Sequence, residues 1–167
     1  FTQYDNNNDG VIDAFFIKWT GPDNGWSGFW WTYQWYWHVD TAFRVDGKRL
    51  GKYVWSWTAN PQTYPFSIQA DIHETGHLLG LPDLYDYDPG TGPSGGVGGL
   101  DIMESVWGDH NCYSKYLLDW LTPTADFSGE QTLALNPSGT SPDCVLIMPG
   151  LSQLNPFAEF FMVQYRK

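Results

Sequence analysis

The chain is poor in cationic residues and lacks any long apolar run. Eight Lys and Arg stand against 19 Asp and Glu in 167 residues, a formal net charge of −11 at pH 7. A surface this acidic repels phosphate backbones, which argues strongly against nucleic-acid binding. No apolar stretch approaches the roughly 20 residues that a membrane-spanning helix needs. We therefore expect no membrane span and no nucleic-acid partner.

Cysteines are also few. Cys112 and Cys144 cannot form a disulfide scaffold or a four-thiolate zinc site, and they allow one intramolecular bridge. In a secreted protein both thiols would otherwise oxidise, so we expect that bridge if the protein is secreted. The chain begins at Phe1 with neither an initiator Met nor a signal peptide. We therefore expect a processed product or a fragment.

Aromatic residues, in contrast, are abundant. They make up 18% of the chain, and 42% is hydrophobic, which excludes intrinsic disorder. Eight of the ten tryptophans fall between Trp19 and Trp57. Over residues 29–39 apolar and polar side chains alternate, and this period of two predicts a strand with one buried face. We interpret the Trp cluster as a sheet core, with a sugar-binding platform as the alternative.

Turn and cap signals predict the remaining elements. Ser67 is the expected N-cap of a helix over 67–79, which Gly80 and Pro82 end. Asn111 is expected to cap a second helix with an apolar face, and Asp46-Gly47 predicts a hairpin turn. The other predicted strands are Val11–Trp19, one near 53–57, and short ones at 131–135, 144–148 and 159–165.

Residues 73–83, His-Glu-Thr-Gly-His-Leu-Leu-Gly-Leu-Pro-Asp, carry the chemistry. His73 and His77 lie one helical turn apart, so both imidazoles can reach a single metal ion. Glu74 lies about 100° round the helix, where it can hydrogen-bond a water beside the metal and act as general base. Gly80 turns the chain so that Asp83 becomes the third ligand. Three protein ligands plus water are typical of a catalytic zinc site.

A second carboxylate competes for the role of third ligand. Glu104 is the only downstream Glu within reach, and in thermolysin-like enzymes a second helix delivers such a Glu. The glycine-rich stretch 90–99 cannot form that helix. We therefore predict Asp83 as the ligand.

The extended motif resembles the metzincin class of zinc peptidases, in the variant of the immune inhibitor A family and snapalysin, where Asp replaces the usual third His. Residues 4–13, 99–103 with 113–120, and 159–166 are also similar to segments of the immune inhibitor A family. The resemblance implies an α+β fold in which a twisted mixed sheet packs on the zinc helix, followed by a small C-terminal subdomain. It also implies that Met103 forms the Met-turn, a hydrophobic floor beneath the ligands.

Related domains have further strands and a long helix before residue 4. We expect that segment to have been trimmed or to be a separate N-terminal fragment. Residues 1–167 would then form a single metallopeptidase catalytic domain.

The acidic loop after Tyr4 has the spacing of a calcium site. Its oxygen ligands would come from Asp5, Asn7, Asp9, Val11 and Asp13, but Phe16 stands where an EF-hand has a bidentate Glu. An Asx-rich turn explains the same residues equally well. Both interpretations remain open.

These observations predict a secreted zinc endopeptidase acting on protein or peptide substrates, with Ca²⁺ as a second candidate ion. The alternatives are a Trp-rich glycan-binding module and an inactive peptidase remnant.

Overall fold

The computed structural model describes residues 1–58, 68–91, 95–126, 132–148 and 159–167. The chain divides into two compact units: Phe1–Gly99 with Met103–Trp107, and Leu100–Ile102 with Gly108–Lys167. In these described ranges it is a small mixed α/β protein with two three-stranded sheets and few helices, which confirms the α+β expectation at that level. No helix in the described ranges is long and apolar enough to cross a membrane. The single catalytic domain stays a prediction.

The sheet of the first unit consists of β1 (Val11–Trp19), β2 (Tyr33–Tyr36) and β3 (Arg49–Trp57) in the order β1-β3-β2. β1 runs parallel to β3 and β2 runs antiparallel to it, so the sheet is mixed as predicted. β1 has the predicted bounds. β2 covers only the centre of the strand predicted at 29–39. In the strand order it lies at one edge of the sheet among the described strands.

The two faces of this sheet are covered by different parts of the chain: α1 on one face and aromatic side chains on the other. On one face Val54 and Ser56 of β3 are buried, and α1 (Gln69–Leu78) packs against β3 and β2. On the opposite face, alternate residues of β3 carry aromatic rings that pack with rings from the preceding segment. Trp55 lies 5.4 Å, centroid to centroid, from both Trp26 and Trp30. The aromatic cluster therefore covers the sheet face that α1 leaves uncovered.

An ion pair joins α1 to the sheet. The Lys18 ammonium on β1 contacts the Asp71 carboxylate in the first turn of α1. At its other end α1 stops where the sequence predicts, because Gly80 has φ of +101°, a conformation that residues with a side chain rarely adopt. The Leu81 N–H then donates to the Gly76 carbonyl at 2.9 Å. The predicted cap Ser67 lies outside the described residues.

The hairpin turn at Asp46-Gly47 is confirmed. Both residues have positive φ, +49° and +78°, as a tight hairpin turn of this type requires. Val45 and Lys48 form an antiparallel bridge across it. β3 begins directly after the turn at Arg49, earlier than the position near residue 53 that the sequence suggests.

The sheet of the second unit consists of β4 (Thr124–Asp126), β5 (Val145–Ile147) and β6 (Phe161–Val163), in that order. β5 and β6 lie within the strands predicted at 144–148 and 159–165. β4 was not predicted. Residues 132–135, where a strand was predicted, are not in a strand, and residue 131 lies outside the described part.

The second helix, α2 (Cys112–Leu117), begins as predicted. The Asn111 side chain accepts a hydrogen bond from the Ser114 N–H at 2.9 Å. The face predicted to be apolar stays exposed, with Leu117 50% accessible. The buried residues of α2 are instead Cys112 and Ser114, and the Ser114 hydroxyl donates to the fully buried Asp101 carboxylate at 2.7 Å.

The core of the second unit contains both cysteines. Cys112 and Cys144 are buried in one cluster with Leu121, and Met162 packs against it. Both are free thiols that hydrogen-bond one another. Burial raises the pKa of both, that of Cys144 to about 11. The disulfide stays a prediction, and the structure places its two partners in contact.

Candidate metal centre

Three side chains of the motif lie on α1. His73 and Glu74 are buried and His77 is partly buried. The four-residue spacing places the two imidazoles edge to face, with ring centroids 4.9 Å apart. The local geometry that the sequence predicts for this pair of histidines is therefore present.

Asp83 reaches the same point from the segment after the helix. Its Oδ1 lies 3.0 Å from His73 Nε2 and 3.2 Å from His77 Nε2. The next residue fixes the backbone, since the Leu84 N–H donates to the Met103 carbonyl at 2.9 Å. The three predicted zinc ligands therefore converge.

The two distances from Asp83 Oδ1 are compatible with binding of one tetrahedral metal ion. With bonds of 2.0–2.1 Å, neighbouring ligand atoms around zinc lie about 3.3 Å apart, close to the two distances observed. Among the described residues, Asp83 Oδ1 is buried without a hydrogen-bond partner, and a cation would compensate that cost. His77 Nδ1 lies 2.8 Å from the Leu81 carbonyl oxygen. That contact makes Nδ1 the donor and leaves the Nε2 lone pair for a metal.

The chemistry of the ligands favours zinc. Two imidazoles and one carboxylate are a ligand set found in catalytic zinc sites, where a fourth position is left for water or substrate. Among the described residues, this is the only group of three or more such side chains placed to hold one ion.

Glu74 lies beside the three ligand atoms without belonging to them. Burial raises its pKa to about 7, and the negative charge of Asp83 adds to the effect. The Gln34 backbone N–H, on β2, donates to the Glu74 carboxylate and opposes the shift. A carboxyl group with a pKa near neutrality can both accept and donate a proton.

Two tyrosines at the site were missed by sequence reasoning. The Tyr87 hydroxyl donates to Asp83 Oδ2, which raises the pKa of Tyr87. The Tyr85 ring lies 4.6 Å from that of Tyr87. Tyr85 and Tyr87 lie at bends of an irregular loop, so no periodicity in the sequence signals their contacts at the site.

The site opens into a cleft of about 350 Å³. One wall is the edge strand β2 with Thr32 before it, and the floor carries His73, Glu74, His77 and Asp83. A second pocket of about 300 Å³ also touches His73 and Glu74, between Trp31, Trp57 and Val106. The cleft is therefore open to a molecule that lies along β2.

The two remaining residues predicted around the site have distinct places. Glu104 lines the second pocket, but its carboxylate accepts a hydrogen bond from the Gly99 N–H and is not among the three converging ligands. Met103 is fully buried, as a hydrophobic floor would be. Its role as the Met-turn residue stays a prediction.

The predicted calcium loop has the contacts of an Asx-rich turn. Each of its four carboxylate or amide side chains accepts a hydrogen bond from a backbone N–H, and Val11 donates one of these bonds. The buried Asp5 carboxylate also pairs with the Lys48 ammonium. In the described ranges the loop carboxylates do not form a converging group like that of the histidine site. Calcium binding stays a prediction.

No family model matches the chain, and no curated protein matches it. The geometry of the site therefore carries the functional argument.

Three variants test which carboxylate holds the metal. Asp83→Ala should lose zinc because it removes one of three ligands, and Asp83→His should retain much of it because imidazole also binds zinc. Glu104→Ala should keep its zinc, since the Glu104 carboxylate accepts a hydrogen bond from the Gly99 N–H and is not one of the three converging ligands. The measurement is zinc content after dialysis, and zinc loss in Glu104→Ala with retention in Asp83→Ala would reverse the assignment.

The Asp5–Lys48 pair should make the first unit acid-sensitive. The hydrogen bond from Lys48 lowers the pKa of Asp5 from 3.8, so the pair stabilises the fold above the pKa of an unfolded Asp. That stabilisation is lost as the pH falls through the lowered pKa. Asp5→Asn should therefore lower the melting temperature at pH 7, and the difference from wild type should shrink at pH 3.

The matched control for this experiment is Asp13→Asn, because Asp13 is exposed in the same loop and has no Lys partner among the described contacts. An Asp5→Asn melting curve that overlays the wild-type curve at pH 7 would show that the pair adds nothing.

Proposed function

We propose that the protein is a secreted zinc endopeptidase with a metzincin-like fold, related to the immune inhibitor A family. The observation that carries the proposal is the convergence of His73 Nε2, His77 Nε2 and Asp83 Oδ1 beside a buried Glu74. Structural zinc sites close all four positions with protein ligands, whereas three ligands and a neighbouring carboxyl group are the arrangement of hydrolytic sites.

The surrounding fold supports the same class. A mixed sheet packs on the helix that carries both histidines, a glycine ends that helix, and a buried Met103 follows the third ligand. These are the features that the sequence resemblance implies.

Each residue of the site has a role in peptide hydrolysis. Zinc, when bound, supplies Lewis acidity that makes water more acidic and a carbonyl carbon more electrophilic. Glu74 accepts a proton from the attacking water and later donates it to the nitrogen of the departing amine. The Gln34 N–H orients the Glu74 carboxylate, and the Leu81 carbonyl orients the His77 ring.

The cleft favours an extended peptide as substrate. Among the described strands β2 is an edge strand of its sheet, and it lines the cleft; an edge strand offers backbone groups to a chain lying beside it. The sequence between Lys52 and Lys115 contains eight acidic residues and no Lys or Arg. The substrate should therefore carry no strong negative charge.

The aromatic face of the sheet is the place where a glycan-binding function would act. It holds a cavity of about 360 Å³ lined by Trp19, Trp26, Phe29, Trp30 and Trp55. These rings offer stacking surfaces, but their lining is almost wholly apolar and gives sugar hydroxyls few partners.

Activity measurements separate the three functions. Stoichiometric zinc with phenanthroline-sensitive cleavage of denatured casein supports the peptidase over both alternatives. A change of Trp fluorescence on adding sugars, without proteolysis, would support the glycan module. Zinc binding without proteolysis would indicate an inactive remnant.

Replacing Glu74 by Gln tests the mechanism. The amide keeps the shape of the side chain but cannot accept a proton, so casein hydrolysis should fall by at least ~10²-fold, the usual scale of general acid–base help. Zinc content and melting temperature should stay near the wild-type values. Glu159→Gln, the same change at an exposed position of the second unit, is the control, and wild-type turnover in Glu74→Gln would remove Glu74 from the mechanism.

A further inference from the structure

The two oxygens of the Asp83 carboxylate have different partners. Oδ1 faces the two imidazole nitrogens, at 3.0 and 3.2 Å. Oδ2 accepts the hydrogen bond of the Tyr87 hydroxyl. A carboxylate can bind a metal through one oxygen or through both, and it can exchange the two by rotating. A donor fixed on Oδ2 disfavours both binding through the two oxygens together and exchange of the two by rotation.

The segment that carries Tyr87 is held by its own hydrogen bonds. Asp86 Oδ1 accepts the Asp88 N–H at 2.9 Å, and Asp88 Oδ1 accepts the Gly90 N–H at 3.0 Å. The Thr91 N–H returns to the Asp88 carbonyl at 3.0 Å. Packing of Tyr87 against the Tyr85 ring adds a side-chain contact. The hydroxyl is therefore presented to Asp83 from a defined loop.

The backbone next to Asp83 is held by a separate contact. The Leu84 N–H is bonded to the Met103 carbonyl, which sets the backbone, while Tyr87 sets the carboxylate plane. Backbone and side-chain orientation are thus controlled by separate contacts. Outer contacts of this kind orient metal ligands and contribute to metal affinity.

We propose that Tyr87 is a positioning residue of the zinc site: its hydroxyl holds Asp83 in one-oxygen binding with Oδ1 turned to His73 and His77. The inference rests on the proposed zinc function. One-oxygen binding keeps the site at three protein bonds, which preserves the fourth position for water or substrate. Without the hydroxyl, Oδ2 loses the donor that Tyr87 supplies, and both zinc affinity and coordination change.

The test is Tyr87→Phe in the whole chain. Tyr87 is 73% exposed, so removing one hydroxyl leaves the core intact, and the melting temperature of the metal-free protein reports this. Zinc affinity, measured by competition with a chelating dye, should fall about 10-fold, the lower end for loss of such an outer contact. Tyr113→Phe, the same change at an exposed tyrosine of the second unit, should bind zinc like wild type.

Substitution of Co²⁺ for zinc gives a measurement that would stay unchanged if Tyr87 only supported the fold. The visible absorption of bound Co²⁺ depends on the number and geometry of its ligands. Tyr87→Phe should therefore change the spectrum relative to wild type and Tyr113→Phe. Unchanged zinc affinity and an unchanged cobalt spectrum in Tyr87→Phe would overturn the inference while leaving the zinc site in place. A wild-type chain that binds no zinc would overturn the proposed function, and this inference with it.

Discussion

Two imidazole nitrogens and a carboxylate oxygen lie about as close as the ligands of one metal ion, and this proximity is the constraint on which the site depends. Lone pairs on neutral imidazoles repel a carboxylate unless a cation or a proton lies between them. The chain nevertheless brings them together by three means: a helical turn between His73 and His77, a left-handed Gly80, and the Leu84–Met103 hydrogen bond. A bound cation, as proposed for zinc, would offset that repulsion.

The packing of α1 on the sheet holds these ligand atoms and Glu74 in place. α1 is attached to the sheet at its first turn by the Lys18–Asp71 pair and along its length by packing against β3 and β2. The same packing buries Glu74 against the edge strand, where the Gln34 N–H meets its carboxylate. Burial then raises the pKa of Glu74 toward neutrality, so the arrangement that positions the carboxyl group also adjusts its proton affinity.

Much of the site was predictable because its chemistry is local in sequence. Helical periodicity alone places His73 and His77 together, and a glycine stop followed by Asp83 completes the ligand set. The apolar run Val11–Trp19 between two turn signals predicted β1 with its correct bounds. The contacts of Gln34 and Tyr87 were not predicted, since one depends on strand pairing across many residues and the other on an irregular loop. The spacing of the loop also could not show whether the Asp5 carboxylate would face a metal ion or the Lys48 ammonium. Lys48 reaches Asp5 because the hairpin turn at Asp46-Gly47 places it there.

X-ray absorption at the zinc edge tests the central claim most directly, because it reports the atoms bound to the metal without requiring activity. The zinc-loaded protein should show a first shell of nitrogen and oxygen near 2.0–2.1 Å, with the outer scattering of two imidazole rings. A sulfur shell near 2.3 Å would place the metal at Cys112 and Cys144 instead. That result, or a spectrum with no imidazole scattering, would contradict the assignment of His73, His77 and Asp83.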